Sequence, residues 1–191
     1  MQLIIASNNK NKIRELQQAF PSETIESYTA YSEPIDVVEN GKTYVENALI
    51  KAKEIATIIQ KPVMGDDGGL ELCAFPDKLG IQTSRFFEKG LTDRQMNEQL
   101  LNLLEHESDR RFKLHASLVL YNLEYKPVIV EKTLSGIVSD TIYEGGGYGF
   151  DSILIPTGYT QTLSLLSDKK RNELSPRNQA FNELIWRREH V

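Results

Sequence analysis

Cysteine is almost missing. The 191 residues contain one, Cys73, so no internal disulfide can form. Set among Leu70, Leu72 and Phe75, that thiol is expected to act as a small buried hydrophobe rather than a nucleophile. Long apolar runs are missing too, and no stretch approaches the roughly 20 residues that span a bilayer. The start Met1-Gln2-Leu3-Ile4-Ile5-Ala6 has no basic flank and too short an apolar run for a secretory signal. Basic residues are outnumbered, giving a net charge of −5, which argues against a binder of duplex nucleic acid. A nucleotide substrate is not excluded, because a local cluster of Lys and Arg can sit on an acidic protein. The glycines of a Walker-type phosphate loop are absent. The expectation is a cytoplasmic protein whose partner is neither a membrane nor a nucleic-acid polymer.

What is present suffices for a core: 40% of residues are hydrophobic and 8% aromatic. The length fits a single domain, residues 1–191. Leu3-Ile4-Ile5-Ala6 reads as a fully buried strand. It runs through Ser7-Asn8-Asn9-Lys10-Asn11-Lys12 into a helix with Ile13, Leu16 and Phe20 on one face, stopped by Pro21. That arrangement aims backbone N–H groups and the helix dipole at one spot, a favourable place for an anion. A second strand is expected over 24–28, then an irregular acidic passage holding Glu33, Asp36 and Glu39. Thr43-Tyr44-Val45-Glu46 has the form of a capping box. The following helix buries Ala48, Ala52, Ile55, Ala56 and Ile59, leaving Asn47 and Lys51 one turn apart to face a common ligand.

Val63-Met64-Gly65-Asp66-Asp67-Gly68-Gly69-Leu70-Glu71-Leu72 is the stretch around which the rest is organised. Aspartate and glycine together signal a turn. A helix between two apolar strands is a βαβ unit, whose ligands gather at the carboxyl ends of strands, and the paired carboxylates are expected there. Downstream, Leu79 to Phe87 reads as a loop, and Thr92-Asp93-Arg94-Gln95 opens a helix of ordinary core residues. From Arg111 the period becomes two, and an antiparallel ribbon runs through His115 and on to Val138. Glu144-Gly145-Gly146-Gly147-Tyr148-Gly149-Phe150-Asp151 lets backbone approach a ligand and offers aromatics to stack on a base. Lys169 to Arg177 reads as a basic loop before a final helix started by Ser175 and Pro176 and buried through Phe181, Leu184 and Ile185. Arg177 in its first turn opposes the helix dipole, so an anion is expected beside it.

Six blocks in order carry a resemblance. They are Ser7-x-Asn9-x-x-Lys12, Glu39-x-Gly41-x-Thr43-Tyr44-x-Glu46-Asn47-Ala48-x-x-Lys51-Ala52, and Asp66-Asp67-Gly68-Gly69-Leu70. Gly80-Ile81-x-x-Ser84-Arg85-Phe86, Gly147-Tyr148-Gly149-Phe150-Asp151 and Arg171-Asn172-x-Leu174-Ser175-x-Arg177 follow. Together they resemble the inosine triphosphate pyrophosphatase family, which hydrolyses aberrant purine nucleoside triphosphates such as ITP, dITP and XTP. The resemblance implies an elongated α/β fold: a mixed sheet with flanking helices and two lobes around a central nucleotide-binding cleft. One lobe would take approximately residues 1–110 and 145–191, the other 111–144. It implies a homodimer, Mg²⁺, and cleavage to monophosphate and pyrophosphate. Asp67 would be the general base and a metal ligand, with Glu39 as the other metal carboxylate. Ser7, Asn9, Lys12 and Lys51 would hold phosphates, with Gly68 beside them. Tyr148, Gly149, Phe150 and Asp151 would take the base, and Arg171 and Arg177 would lie near the purine.

Elementary chemistry agrees with those roles. A triphosphate brings about four negative charges, which need Lys, Arg and Mg²⁺ to accept them. Residue chemistry alone admits either Asp66 or Asp67 as the base. The chain also departs from the family pattern. Pro176 stands where the family has histidine, Gly68 where it has serine, Arg171 where it has lysine, and Tyr148 and Phe150 are in swapped order. A hydrogen bond to a charged or strongly polar group is worth about 1.5–3 kcal/mol, so losing the histidine should relax base recognition roughly ten- to a hundredfold.

Overall fold

The computed structural model describes residues 2–189. Its six strands are β1 (Gln2–Ile5), β2 (Thr24–Ser27), β3 (Val63–Leu72), β4 (Arg111–Tyr121), β5 (Val128–Val138) and β6 (Leu154–Pro156). They form one sheet in the order β2-β1-β3-β4-β5-β6. The helices are α1 (Lys10–Ala19), α2 (Tyr44–Ile59), α3 (Thr83–Phe86), α4 (Asp93–Leu103), α5 (Asp168–Leu174) and α6 (Pro176–Glu189). Strand β1 pairs in parallel with both β2 and β3, whereas β5 and β6 are antiparallel, so the sheet is mixed and the class α/β. Among the described residues no helix is long and apolar enough to cross a membrane.

By contacts the chain divides into two compact units. The first comprises residues 1–68, 116–132 and 176–191, and the second 69–115 and 133–175. Three of their boundaries fall inside β3, β4 and β5, and the fourth between α5 and α6. Each long strand contributes one half to either unit, so composition carries no mark of the division.

In the first unit β1 is covered on both faces, which is why it has no polar alternation. Leu3 and Ile5 pack with Leu16 of α1, Met64 of β3, and Ala180, Phe181 and Leu184 of α6. Ile4 and Ala6 face the other way, onto Ile55 and Ala56 of α2 together with Val63 and Tyr28. The second unit has its own core, in which Leu70, Leu72, Leu100, Leu104, Phe112, Val138, Ile153 and Leu154 come together.

Several expectations need correction. Asp66-Asp67-Gly68-Gly69 is not a turn or a strand end but the middle of β3. Gly65 and Gly69 serve close approach instead. A Cβ on Gly65 would lie 1.9 Å from the carbonyl oxygen of Ala48, so glycine lets α2 sit directly on the strand. The carboxyl end that matters is that of β1: Ile5 is in register with Met64, so Asp66 lies just past it. Residues 80–86 are not a loop but a 3-10 turn running into α3. The basic stretch from Lys169 lies in α5, capped by the Ser167 hydroxyl, which accepts from the Lys170 N–H. Cys73 is exposed, because the inward positions end at Leu72 and the chain turns there. His115 is a strand residue as expected, with Nδ1 3.0 Å from Thr133 Oγ1 and Nε2 3.1 Å from Glu71 Oε2.

The contact at Gly65 is backbone against backbone, so no side chain can yield. Gly65→Ala should destabilise the fold by at least about 2 kcal/mol, within the usual range for overpacking. Thermal unfolding is the check, and a Tm unchanged from the parent would contradict this packing.

Candidate active site

The site begins where β1 runs into α1. Ser7 Oγ accepts the Asn9 N–H at 3.1 Å, and Asn9 Oδ1 caps the helix by accepting from Asn11 and Lys12 at 3.0 and 3.3 Å. Two N–H groups expected to face an anion are thus already taken. The cap places Lys12 in the first turn, where its Nζ donates to Asp66 Oδ1 at 2.7 Å. From the start of α6, Arg177 donates through Nε to Asp66 Oδ2 at 2.6 Å and through Nη1 to Glu15 Oε2 at 2.8 Å. These are the anions that the position of Arg177 at a helix N-terminus called for. Pro176 is buried at the first helical position, where its missing N–H costs nothing.

Alternation along β3 sends the two aspartates to opposite faces. Asp66 shares the face of Met64, towards α1 and α6, and is 1% exposed. Burial alone would push its pKa up. Arg177, and then Lys12, outweigh that and hold the carboxyl well below the usual range. Asp67 shares the face of Val63, towards α2. Burial pushes its pKa up, with a further push from Glu39, against the attraction of Lys51 and Lys12 and a hydrogen bond from the Gly68 N–H. Lys12 is itself lowered, first by burial and then by Arg177 and Lys51, despite Asp66.

Lys51, on α2, joins the remaining carboxylates. Its Nζ is 3.3 Å from Glu39 Oε2 and 3.5 Å from Asp67 Oδ1. Asn47 is buried and does not face a ligand as expected. Its Oδ1 accepts the Gly41 N–H at 2.8 Å and so ties the loop carrying Glu39 to the helix. The cap at Thr43 forms through its hydroxyl, while Glu46 accepts from the Lys42 N–H. A second oxygen, Asp67 Oδ2, is buried with no hydrogen-bond partner among the described residues. No group of three or more metal-ligating side chains occurs among those residues. Two carboxylates already bridged by a cation, one with an unused oxygen, fit a hard divalent ion that takes its other ligands from phosphate and water.

The other residues marked in the sequence, Tyr148, Gly149, Phe150, Asp151 and Arg171, gather in the second unit. Asp151 Oδ2 accepts the Tyr148 N–H at 3.1 Å, closing a tight turn. Arg171 donates to the carbonyl of Leu166 at 3.1 Å, pairs with Asp168, and has Nε 4.0 Å from Asp151 Oδ2. The Phe150 ring packs on Phe87 with centroids 5.9 Å apart.

A sequence model of the Ham1 family matches residues 3–186. The chain belongs to the Ham1 family. It is 31% identical to the dITP/XTP pyrophosphatase of Staphylococcus aureus over 183 residues, 96% of this chain and 94% of that one. The solved Ham1 protein of Staphylococcus aureus superposes with a TM-score of 0.86 at 29% identity, covering all of both chains. A HAM1 protein from Coxiella burnetii gives 0.87 at 28%, again over 100% of each. The family and the fold class inferred from the six motif blocks are thereby established.

Some residues of this Ham1 protein were not singled out from sequence. Glu15 was missed, although a carboxylate one turn beyond Lys12 on a half-buried helix face is a recognisable signal. Asp93 and Asn97 read in the sequence as ordinary helix residues. Their contacts lie more than 50 residues away, at Gly149.

The two aspartates should behave oppositely when neutralised. Asp66→Asn leaves Lys12 and Arg177 buried without their carboxylate and should cost about 3–5 kcal/mol at neutral pH. Because the folded pKa of Asp66 is depressed, its contribution is present above pH 3.8 and is lost as the pH falls below. The folded pKa of Asp67 is raised, so its ionised form burdens the fold at neutral pH. Asp67→Asn should therefore be at least as stable as the parent. Denaturant unfolding of both variants at neutral and acid pH would check the signs.

Proposed function

We propose that this Ham1 protein hydrolyses aberrant purine nucleoside triphosphates, ITP, dITP and XTP, to the monophosphate and pyrophosphate, cleansing the nucleotide pool. The observation that carries the reading is the setting of Asp67. Its pKa is raised, one oxygen is unpartnered, and Lys51 and Glu39 stand beside it. A carboxylate poised in this way is a general base. The family relationship and the relatives named dITP/XTP pyrophosphatase supply the substrate class.

In this reading Asp67 Oδ2 takes the proton of a water whose oxygen attacks the α-phosphorus. The bond from that phosphorus to the bridging oxygen breaks, and pyrophosphate leaves. Glu39 and Asp67 hold Mg²⁺, which neutralises phosphate charge and polarises the phosphorus–oxygen bonds when bound. Lys12 and Lys51 accept the phosphates together with the Ser7–Asn9 loop, and Gly68 fixes the orientation of the base. Asp66 keeps Lys12 aimed and charged. Tyr148, Gly149, Phe150 and Asp151 take the purine, with Arg171 and Arg177 recognising it. A homodimer working in the cytoplasm, where nucleotide pools lie, completes the proposal.

Pyrophosphate release over a panel of triphosphates tests it. ITP, dITP and XTP should be cleaved well above ATP and GTP, chelation should abolish release, and added Mg²⁺ should restore it. Equal rates on ATP and GTP would indicate a pyrophosphatase of different base preference, and tight binding without release would indicate a nucleotide-binding protein. Asp67→Asn should lose roughly 10²–10⁴-fold in kcat, the usual share of a general base. In the parent, the acid limb of kcat/KM should lie above 3.8, the ordinary aspartate value, because the base is active only when deprotonated and its pKa is raised.

A further inference from the structure

The first two turns of α4 grip the aromatic turn by its backbone. Asp93 Oδ2 accepts the Gly149 N–H at 2.6 Å. Asn97, four residues on and therefore on the same helix face, donates through Nδ2 to the Gly149 carbonyl at 2.9 Å and to Ser152 Oγ at 2.8 Å. Both polar groups of one residue are thus held by one helix. Gly149 has φ +64, a left-handed setting favoured by glycine, between the two aromatics. The grip is built: Asn97 is 1% exposed, and α4 is fixed by a capping box between Thr92 and Gln95. The other side of the turn is held separately. The Gly146 N–H donates to the Ser164 carbonyl at 2.8 Å, and Asp151 accepts from Tyr148.

We propose that Asp93 and Asn97 are specificity-determining positioning residues. They touch no substrate, but by clamping Gly149 they set Tyr148 and Phe150 at the angle from which a purine base is discriminated. This rests on the assignment of residues 148–151 to base recognition. A helix turn that fixes N–H and C=O together removes the two rotations by which the aromatics would drift. Preorganisation of this kind is read out as selectivity.

Asp93 is exposed, so Asp93→Ala should fold. The experiment measures kcat/KM for ITP and ATP by pyrophosphate release in the parent, Asp93→Ala and Asp93→Asn, with calorimetric Kd values for IMP and AMP. One charge-assisted hydrogen bond is lost, so the ITP-to-ATP ratio should fall about tenfold in Asp93→Ala. Asp93→Asn, which keeps an acceptor oxygen, should recover part of it. An unchanged ratio, or an equal loss on both nucleotides, would overturn the inference while leaving the proposed activity intact. If the parent releases no pyrophosphate from any triphosphate, that activity is wrong and the Kd values decide. A preference for IMP that Asp93→Ala erases would uphold the clamp. No preference, or an undisturbed one, would overturn it.

Discussion

The buried carboxylate of Asp66, shared between Lys12 and Arg177, is the interaction on which the first unit depends. It draws together β3, α1 and α6, three segments far apart in sequence, at one almost solvent-free point. A lone charge there would be prohibitive, and two cations without it equally so. Burial makes each partner indispensable to the others, and Glu15 completes the set by satisfying the far end of Arg177.

Around that fixed point the chemistry is divided by geometry. One face of β3 is saturated with charge partners, and its carboxylate is held ionised at any ordinary pH. The other face is under-compensated, with Lys51 standing at more than 3 Å from two carboxylates. Adjacent residues of the same type thus acquire opposite character from their surroundings, one carboxyl held ionised and the other pushed towards its protonated form.

Much of this was legible in the sequence. The buried strand β1, the Asn9-capped helix, the Thr43 cap and the amphipathic final helix all followed from period and capping chemistry. What escaped has physical reasons. Glycines beside aspartates imitate a turn, and nothing local reveals that Gly65 exists to admit the Ala48 carbonyl. Asn47 looked available for a ligand because its true partner is a backbone N–H on the preceding loop. Cys73 looked buried from its neighbours, yet the strand ends one residue earlier. The Asp93–Asn97 clamp was invisible because all three of its bonds close long loops.

The division of labour between the two aspartates follows from parity along a strand. Moving the frame of β3 by one residue would present Asp67 to Lys12 and Arg177, and would turn Asp66 towards Lys51 and Glu39. Composition would be unchanged while every assignment inverted. The absent side chain at residue 65 therefore acts as a registration mark: it lets the strand pass beneath α2, and which acid faces Lys51 and Glu39 is set by a hydrogen atom two residues away.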